Sequence, residues 1–284
     1  MKNFSISRRQ ALGGSAALGL STLVTPSFAL AASGDNKQVP GVQLYTVRES
    51  MATDVPGTLK AIAGIGYKEV EFAGYFDHAP QQIRVLLDDL GLSSPSVHVD
   101  APTMRDNPMP LIEAANIVGH DYLTIAYLSP EARQSIDDYK RWAEAFNRAG
   151  ELCRDNGVRL AYHNHEFEFL ALDGQIPFDI LLNEVDAELL DLEIDMFWVR
   201  EAGRDIVEVL SQAPERFTMA HIKDMTADGG MTEVGSGVID FASVLADEAA
   251  SGLRHLFVEH DQPTDPFKSC LLYTSDAADE GVVG

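Results

Sequence analysis

The sequence predicts an α/β fold and, within that class, a (β/α)8 TIM barrel. From Val39 onward, short β-rich runs alternate with helical stretches about every 25 to 35 residues, which is typical of βαβ units around a parallel sheet. The alternation gives eight strands, and eight strand-helix units fill about 250 residues in a closed barrel. Ionisable residues share one parity within several strands and lie near the C-terminal strand ends, where barrel enzymes build their active sites. A doubly wound open sheet is the alternative fold.

Eight strands are predicted from runs that are rich in β-branched and aromatic residues. In chain order they cover residues 42–45, 69–72, 96–99, 122–125, 159–163, 190–195, 217–222 and 255–259. Helical patterns between them cover residues 55–63, 80–90, 108–118, 136–156, 178–184, 205–212 and 241–251. The pattern over 136–156 is the clearest, because its apolar residues recur at helical spacing and it stops at Asn156-Gly157. No long Pro/Gly/Ser-rich linker interrupts the alternation, so residues 32–268 are predicted to form one barrel.

The first 31 residues have the pattern of an export signal. Lys2, Arg8 and Arg9 form a basic region, residues 11–24 are apolar and uncharged, and an Ala-Leu-Ala cleavage site ends the segment. The paired arginines resemble a twin-arginine signal, which implies a bacterial protein that the twin-arginine machinery exports already folded, to the periplasm or beyond. The apolar stretch is too short to span a bilayer stably, so we expect no membrane insertion after cleavage. A cytosolic protein with an amphipathic first helix is the alternative.

The charge balance disfavours two classes of partner. The chain carries 21 Lys and Arg against 44 Asp and Glu, a formal charge of −23. Nucleic acids and anionic membrane surfaces are bound through clustered basic residues, which are in deficit here. Two cysteines, Cys153 and Cys270, are too few for a disulfide framework or a thiolate zinc cluster. Any metal would therefore be held by histidines and carboxylates.

Eight ionisable side chains collect at the predicted ends of six strands. They are Glu71, His98, His163, His165, Asp195, His221, Lys223 and Glu259. A single histidine at a strand end is more often structural, but the convergence of several at a barrel mouth predicts a functional site. Imidazoles and carboxylates together suit one divalent ion such as Mn²⁺, Co²⁺, Zn²⁺ or Fe²⁺ better than Ca²⁺, which prefers oxygen ligands alone.

Six short runs at the strand ends carry a family resemblance. They are GVQLYTVR at 41–48, GYKEVEF at 66–72, YHNHEFEF at 162–169, DMFW at 195–198, HIKD at 221–224 and VEH at 258–260. With them, the chain from about residue 39 to 266 resembles the sugar phosphate isomerase/epimerase family, the xylose isomerase-like TIM barrels. The resemblance implies a carbohydrate substrate and one divalent metal at the C-terminal mouth, held by residues of strands five to eight.

The resemblance places Asp195, His221 and Glu259 at three metal positions. The fourth, on strand five, is usually a glutamate in the ketose epimerases and is His163 here, with His165 on the same face as the alternative ligand. Those epimerases use paired glutamates to remove a proton from carbon and return it, while the metal polarises the adjacent carbonyl. With a histidine at this position, Glu259 is the better candidate base. His163 is expected to be a ligand first, and an acid or base only when it leaves the metal.

The remaining candidate residues each have more than one expected role. Lys223 follows His221 by two residues on the same face and is expected to stabilise an oxyanion or to donate a proton, with a salt bridge to a mouth carboxylate as the alternative. The expected substrate contacts are Glu71, His98, His165 and Trp198. An indole could stack on the apolar face of a sugar ring. Purely structural roles are the alternatives for Glu71 and Trp198.

Three functions are weighed. The first is a metal-dependent isomerase or epimerase that abstracts a proton next to the carbonyl of an unphosphorylated sugar or sugar derivative. The second is a lyase or dehydratase that eliminates a group from a keto-sugar or keto-glycoside, for which one base and a metal suffice. The third is an exported sugar-binding protein without catalysis.

The chain end departs from the barrel pattern. Residues 269–284 lack a sustained amphipathic pattern. The closing eighth helix is therefore predicted to be missing or divergent, and the tail to be foreign to the barrel. An unusually short helix is the alternative.

Overall fold

Eight parallel strands close on themselves in this computed structural model, which describes residues 40–271 of the 284-residue chain. The barrel strands are β1 (Gly41–Gln43), β2 (Glu69–Ala73), β3 (Ser93–Val99), β4 (Tyr122–Ile125), β5 (Arg159–His163), β6 (Asp191–Asp195), β7 (Phe217–Ile222) and β10 (His255–Val258). Their order around the barrel is β1-β10-β7-β6-β5-β4-β3-β2. All eight predicted strands are confirmed, and the open-sheet alternative is wrong.

Helices cover the outside of the barrel. They are α1 (Arg48–Thr53), α2 (Val55–Ile65), α3 (Pro80–Leu90), α4 (Ala101–Asp106), α5 (Met109–Val118), α6 (Ile136–Asp155), α7 (Pro177–Glu184), α8 (Met196–Glu201), α9 (Ile206–Leu210) and α10 (Phe241–Ala246). The predicted helix over 241–251 ends at Ala246 and continues as a separate 3₁₀ turn, Glu248–Ala250. In the part of the chain that the structure describes, no helix is long and apolar enough to cross a membrane.

Three short helices were not predicted, because a strand end starts them rather than an amphipathic pattern. The Asp100 carboxylate accepts the Thr103 N–H at 2.8 Å and begins α4, and the Asp195 carboxylate accepts the Trp198 N–H at 3.1 Å and begins α8. A side-chain oxygen at this position satisfies an N–H that has no partner within the helix. The third, α1, follows a 3₁₀ turn after β1.

Alternation along the strands separates two kinds of buried surface. The residues that face the helices, such as Ile194, Ile222 and Val258, are apolar and at most 2% exposed. Inside the barrel, a second apolar cluster forms a floor below the ionisable residues. It consists of Tyr122, Ala161, Met219 and Phe257. His221 and Glu259 follow two residues after the last two of these and therefore share their face.

The segment after β7 is tied down by one buried carboxylate. It contains a two-stranded antiparallel sheet of β8 (Asp224–Met225) and β9 (Met231–Thr232). The Asp224 carboxylate accepts the backbone N–H groups of Met225, Gly235, Gly237 and Ile239 at 2.8 to 3.2 Å. These bonds hold the segment that leads to α10 in one conformation.

The described chain ends in a helical stretch, residues 266–271, in which Ser269 and Cys270 are buried. Tyr67 donates a hydrogen bond to the Cys270 carbonyl at 3.1 Å. The predicted tail lies mostly beyond residue 271, and the predicted export signal, 1–31, lies outside the described residues. Both stay predictions, as do the twin-arginine machinery as a partner and the exported location.

Candidate functional site

Four buried side chains meet at the C-terminal mouth of the barrel. His163 ends β5, Asp195 ends β6, His221 lies in β7 and Glu259 follows β10. The sheet register pairs Asp195 with His221 and so brings two neighbouring strands together at this level. One ligand atom from each of the four lies within 4.8 Å of the others. We call these residues the mouth group. They are the four predicted metal ligands.

Local contacts orient the side chains of Asp195 and His163 toward the lumen. The Asp195 backbone N–H donates to Asn164 at 3.0 Å, and one Asp195 carboxylate oxygen caps α8, which leaves its Oδ2 free to face the lumen. His163 Nδ1 lies 3.2 Å from the Ala126 carbonyl. A carbonyl only accepts, so Nδ1 carries the proton, and the lone pair of neutral His163 is on Nε2, facing the mouth.

His221 is held from below. Its Nε2 lies 2.7 Å from Glu71 Oε2, and its Nδ1 lies 2.7 Å from Glu259 Oε2 and 3.7 Å from Asp195 Oδ2. A ligating histidine commonly donates its remote N–H to a carboxylate, which fixes the ring and points the other nitrogen at the metal. Glu71 is placed to play that part toward His221.

A second group of ionisable residues lies below the mouth group. It consists of Glu71, His98, Glu193 and His221, and we call it the inner group. His98 Nε2 lies 2.8 Å from Glu193 Oε2, while Gln43 donates to Glu71 at 2.7 Å. Glu71 is fully buried and does not line the cavity, whereas the sequence predicted it as a substrate contact or a structural residue. Its contacts favour the structural alternative.

Lys223 neutralises the mouth carboxylates. Its ammonium lies 2.9 Å from each of three carboxylates, at Asp195 Oδ2, Glu259 Oε2 and Asp261 Oδ1. Burial alone would lower the pKa of Lys223, but the three carboxylates raise it well above its usual value. The salt bridge that the sequence left as an alternative is present, because the lysine follows His221 on the same lumenal face.

The charges of the mouth group depend on one another. Burial would raise the pKa of Glu259 and of Asp195, but Lys223 and the neighbouring histidines lower both below their usual values, so both carboxylates are ionised. Burial and the nearby His221 lower the pKa of His163. Burial, His163 and Lys223 lower the pKa of His165 to about 2. These two imidazoles are therefore neutral.

The mouth group fits a divalent cation. His163 Nε2 and Asp195 Oδ2 face each other at 3.2 Å, and the Lys223 ammonium, 2.9 Å from the same oxygen, already brings a positive charge to this point. His221 Nδ1 lies 2.7 Å from Glu259 Oε2, so a nitrogen and an oxygen ligand already face each other at this point. Two imidazole nitrogens and two carboxylate oxygens are ligands for Zn²⁺, Mn²⁺, Co²⁺ or Fe²⁺.

A cavity of about 1020 Å³ opens above these residues. Six of the predicted site residues line it, namely His98, His163, His165, Trp198, Lys223 and Glu259. Asp195 and His221 lie beneath, fully buried. The Nε1 of Trp198 and the Nδ1 of His165 are buried without a hydrogen-bond partner, and the two rings lie 5.4 Å apart. This side of the cavity therefore offers unused hydrogen-bonding atoms to a polar ligand.

The sequence analysis did not identify two carboxylates of the site. Glu193 precedes Asp195 by two residues, and Asp261 follows Glu259 by two. Each therefore shares the lumenal face of a residue that was chosen. The period of two that identified the strand ends was the signal that could have found both. Burial and Glu259 raise the pKa of Asp261 to about 6, so it is the mouth carboxylate that gains a proton most easily.

Comparison with known proteins gives one family. A family model described as "Xylose isomerase-like TIM barrel" matches residues 59–266. An inosose dehydratase of Clostridium perfringens is 29% identical over 147 residues, which cover 44% of this chain and 48% of the relative. The chain thus spans about half the length of that curated relative.

Solved structures show the same fold. A sugar phosphate isomerase/epimerase from Parabacteroides distasonis has a TM-score of 0.74 at 23% identity and covers 91% of this chain and 100% of its own. An IOLI protein with a bound zinc atom has a TM-score of 0.64 at 16% identity, with coverage of 84% of this chain and 96% of its own.

Proposed function

The chain belongs to the xylose isomerase-like TIM barrel family, and we propose that it is a divalent-metal-dependent lyase. In this proposal Glu259 removes a proton from the carbon next to a carbonyl of an unphosphorylated sugar derivative, and a substituent on the following carbon then leaves. Isomerisation or epimerisation, which the sequence favours, shares the first step and is the second candidate. The relative named inosose dehydratase supports the first candidate, and the Parabacteroides isomerase/epimerase supports the second.

The placement of the glutamates favours elimination over epimerisation. Among the described residues that line the cavity, Glu259 is the single glutamate. Epimerisation by paired glutamates needs a second carboxylate on the opposite side of the sugar. Of the two aspartates that line the cavity, Asp261 shares the Lys223 ammonium with Glu259 and so lies on the same side, and Asp100 caps α4. Glu71 and Glu193 lie below the cavity, where histidines and polar side chains hold them. Neutral His163 and His165 are weak proton donors. Elimination needs only one group that takes the proton from carbon and passes it to the departing oxygen.

The electron pair of the broken C–H bond forms a carbon-carbon double bond as the bond to the leaving oxygen breaks. Glu259 Oε2 faces His221 and Lys223, and none of these contacts involves Oε1, which is left to act on the substrate. A carboxylate with a lowered pKa is a weak base, so the carbon acid must be made stronger. A divalent ion supplies this chemistry when bound, because it polarises the carbonyl.

The mouth group would hold that ion. His163, Asp195, His221 and Glu259 are placed to ligate it, and Glu71 keeps His221 aimed at it. The IOLI neighbour, which has a bound zinc atom, supports a divalent metal in a protein of this fold. Which of Mn²⁺, Co²⁺, Zn²⁺ or Fe²⁺ it is stays a prediction.

The charges of the cavity support an unphosphorylated substrate. Arg48 and Lys223 are the basic residues among the described lining residues, and Lys223 is already engaged by three carboxylates. Phosphate binding requires free cationic or N–H donors. A neutral polyhydroxylated carbonyl compound fits this cavity better.

Incubation of the metal-loaded protein in D₂O with ketoses and with 3-keto-glycosides tests the proposal. We expect release of the leaving group from the keto-glycoside, loss of that activity in Glu259→Gln, and no new epimer. A new epimer that forms without release of the leaving group, whether or not it contains deuterium, would favour the second candidate. If the wild type and Glu259→Gln bind sugars equally well and neither shows turnover, both enzymatic candidates are refuted and the protein is a sugar-binding protein.

A further inference from the structure

The cavity has two chemically different halves. Its ionic half is built by the residues that follow β5, β6, β7 and β10, and contains Glu259 and Lys223. Its other half is built by the segments after β2, β3 and β4, together with α5 and α6. The residues that characterise this apolar half are Tyr75, Val99, Pro102, Leu111, Leu128 and Trp142.

The apolar half has little capacity to bind charge. Its one carboxylate, Asp100, is engaged as the N-cap of α4, and the imidazole of His98 lies 2.8 Å from Glu193, which engages it. The Trp142 indole N–H already donates to the Ala132 carbonyl at 2.8 Å, and its ring stacks on Phe146, so Trp142 adds apolar lining but no free polar atom. Aromatic and aliphatic surfaces of this kind bind flat or apolar groups. Tyr75 adds one polar atom, since its buried hydroxyl has no hydrogen-bond partner.

The volume exceeds what the proposed chemistry requires. Pockets that enclose a drug-sized ligand measure about 300 to 1000 Å³, and this cavity has about 1020 Å³. A single sugar ring is smaller than such a ligand. With its reacting carbon at Glu259, the ring occupies the ionic half and leaves the apolar half for whatever is attached to it.

We infer that the apolar half is a subsite for the aglycone of a keto-glycoside, and that this aglycone is aromatic or otherwise apolar. The inference rests on the proposed elimination and specifies its leaving group. Loss of the proton at C2 of a 3-keto-glycoside forms the C1–C2 double bond and breaks the C1–O bond. The aglycone oxygen takes the proton and departs as the alcohol, so the products are an unsaturated keto-sugar and an alcohol.

Binding to metal-loaded Glu259→Gln tests the subsite without turnover. Both anomers of phenyl and methyl 3-keto-glucoside are titrated by calorimetry, and we expect the better phenyl anomer to bind at least tenfold more tightly than its methyl counterpart. Adding Leu111→Asn should reduce this ratio severalfold, because it places an amide in the apolar half. Adding Ile117→Asn is the matched control, since Ile117 is on the same helix, 39% exposed and outside the cavity lining, and it should leave the ratio unchanged.

The two proposals fail in different ways. Equal affinities for phenyl and methyl glycosides, or equal effects of the two asparagine variants, would overturn the subsite even if the wild type eliminates both compounds. A strong phenyl preference with no elimination by the wild type would refute the lyase and keep the subsite.

Discussion

Replacing Lys223 with methionine removes the ammonium that three mouth carboxylates share. Asp195, Glu259 and Asp261 each lie 2.9 Å from this one nitrogen, and Lys223 is 2% exposed. Deleting one partner of a buried ion pair costs about 3 to 5 kcal/mol, because the remaining charge has neither a partner nor water. Asp261 is the most exposed of the three and can take up a proton. We therefore expect Lys223→Met to lower the free energy of unfolding by about 3 to 5 kcal/mol in the presence of a chelator.

A divalent ion should reverse most of this loss. It would be held by two of the carboxylates that the ammonium neutralises, those of Asp195 and Glu259. Without the competing charge, the variant should bind the ion more tightly than the wild type. A ligand at a hundred times its Kd stabilises the folded state by about 3 kcal/mol. The gain on adding metal should therefore be larger in Lys223→Met than in the wild type.

Urea unfolding with chelator and with Zn²⁺ or Mn²⁺ measures both effects. Lys223→Arg keeps the charge and should fall between the two proteins. Lys60→Met, at an exposed position in α2, is the control for loss of a lysine and should change little. Equal stabilities of wild type and Lys223→Met in chelator, or equal gains on adding metal, would refute the competition between the ammonium and the ion.

Three further predictions follow from other parts of the chain. Burial raises the pKa of Glu168 from 4.5 to about 8 despite opposing hydrogen bonds, so above pH 5 the folded state holds a proton that the unfolded state has lost. The free energy of unfolding should therefore fall by about 1 kcal/mol per pH unit between pH 5 and 8. Glu168→Gln should flatten this slope in urea titrations. Gly237→Ala would push a methyl group into the Asp224 carboxylate and should lower the free energy of unfolding by about 1 to 3 kcal/mol or more. Gly64→Ala is the control, because no neighbouring atom lies within 4 Å of the new carbon, and it should be neutral or stabilising in the same unfolding assay. Purified protein should contain close to one transition metal per chain by elemental analysis, and His221→Ala should lose it; metal-free wild type that is unaffected by chelator would refute the mouth group as a metal site.

The sequence predicted the strands and the mouth group for one physical reason. Strand side chains alternate between faces, so an ionisable residue next to apolar neighbours near a strand end identifies both the lumenal face and the mouth. His163, Asp195, His221 and Glu259 were among the eight residues found in this way, and the family resemblance then selected these four as metal ligands. Glu193 was missed because only strand ends were searched, although the same alternation places it one step below Asp195.

The apolar half of the cavity could not have been predicted in this way. Its lining comes from segments after three strands and from two helices, and no periodicity relates Tyr75, Leu111 and Trp142 along the chain. Their meeting depends on the loop conformations and on where each helix packs. Alternation within a strand determines only whether a side chain points into the barrel or toward the helices. It therefore cannot predict side chains that reach the mouth from loops and helices outside the barrel.

The apolar floor of the barrel has a consequence for isotope experiments. Tyr122, Ala161, Met219 and Phe257 close the lumen beneath the ionisable residues, so water has no path to Glu259 from that end. A substrate bound in the cavity would also cover the carboxyl group from above. A hydrogen taken from carbon would then be sheltered from bulk solvent until the product leaves. Reversal before release should return the same hydrogen to carbon, so unreacted substrate recovered from ordinary water should keep a deuterium label at that carbon.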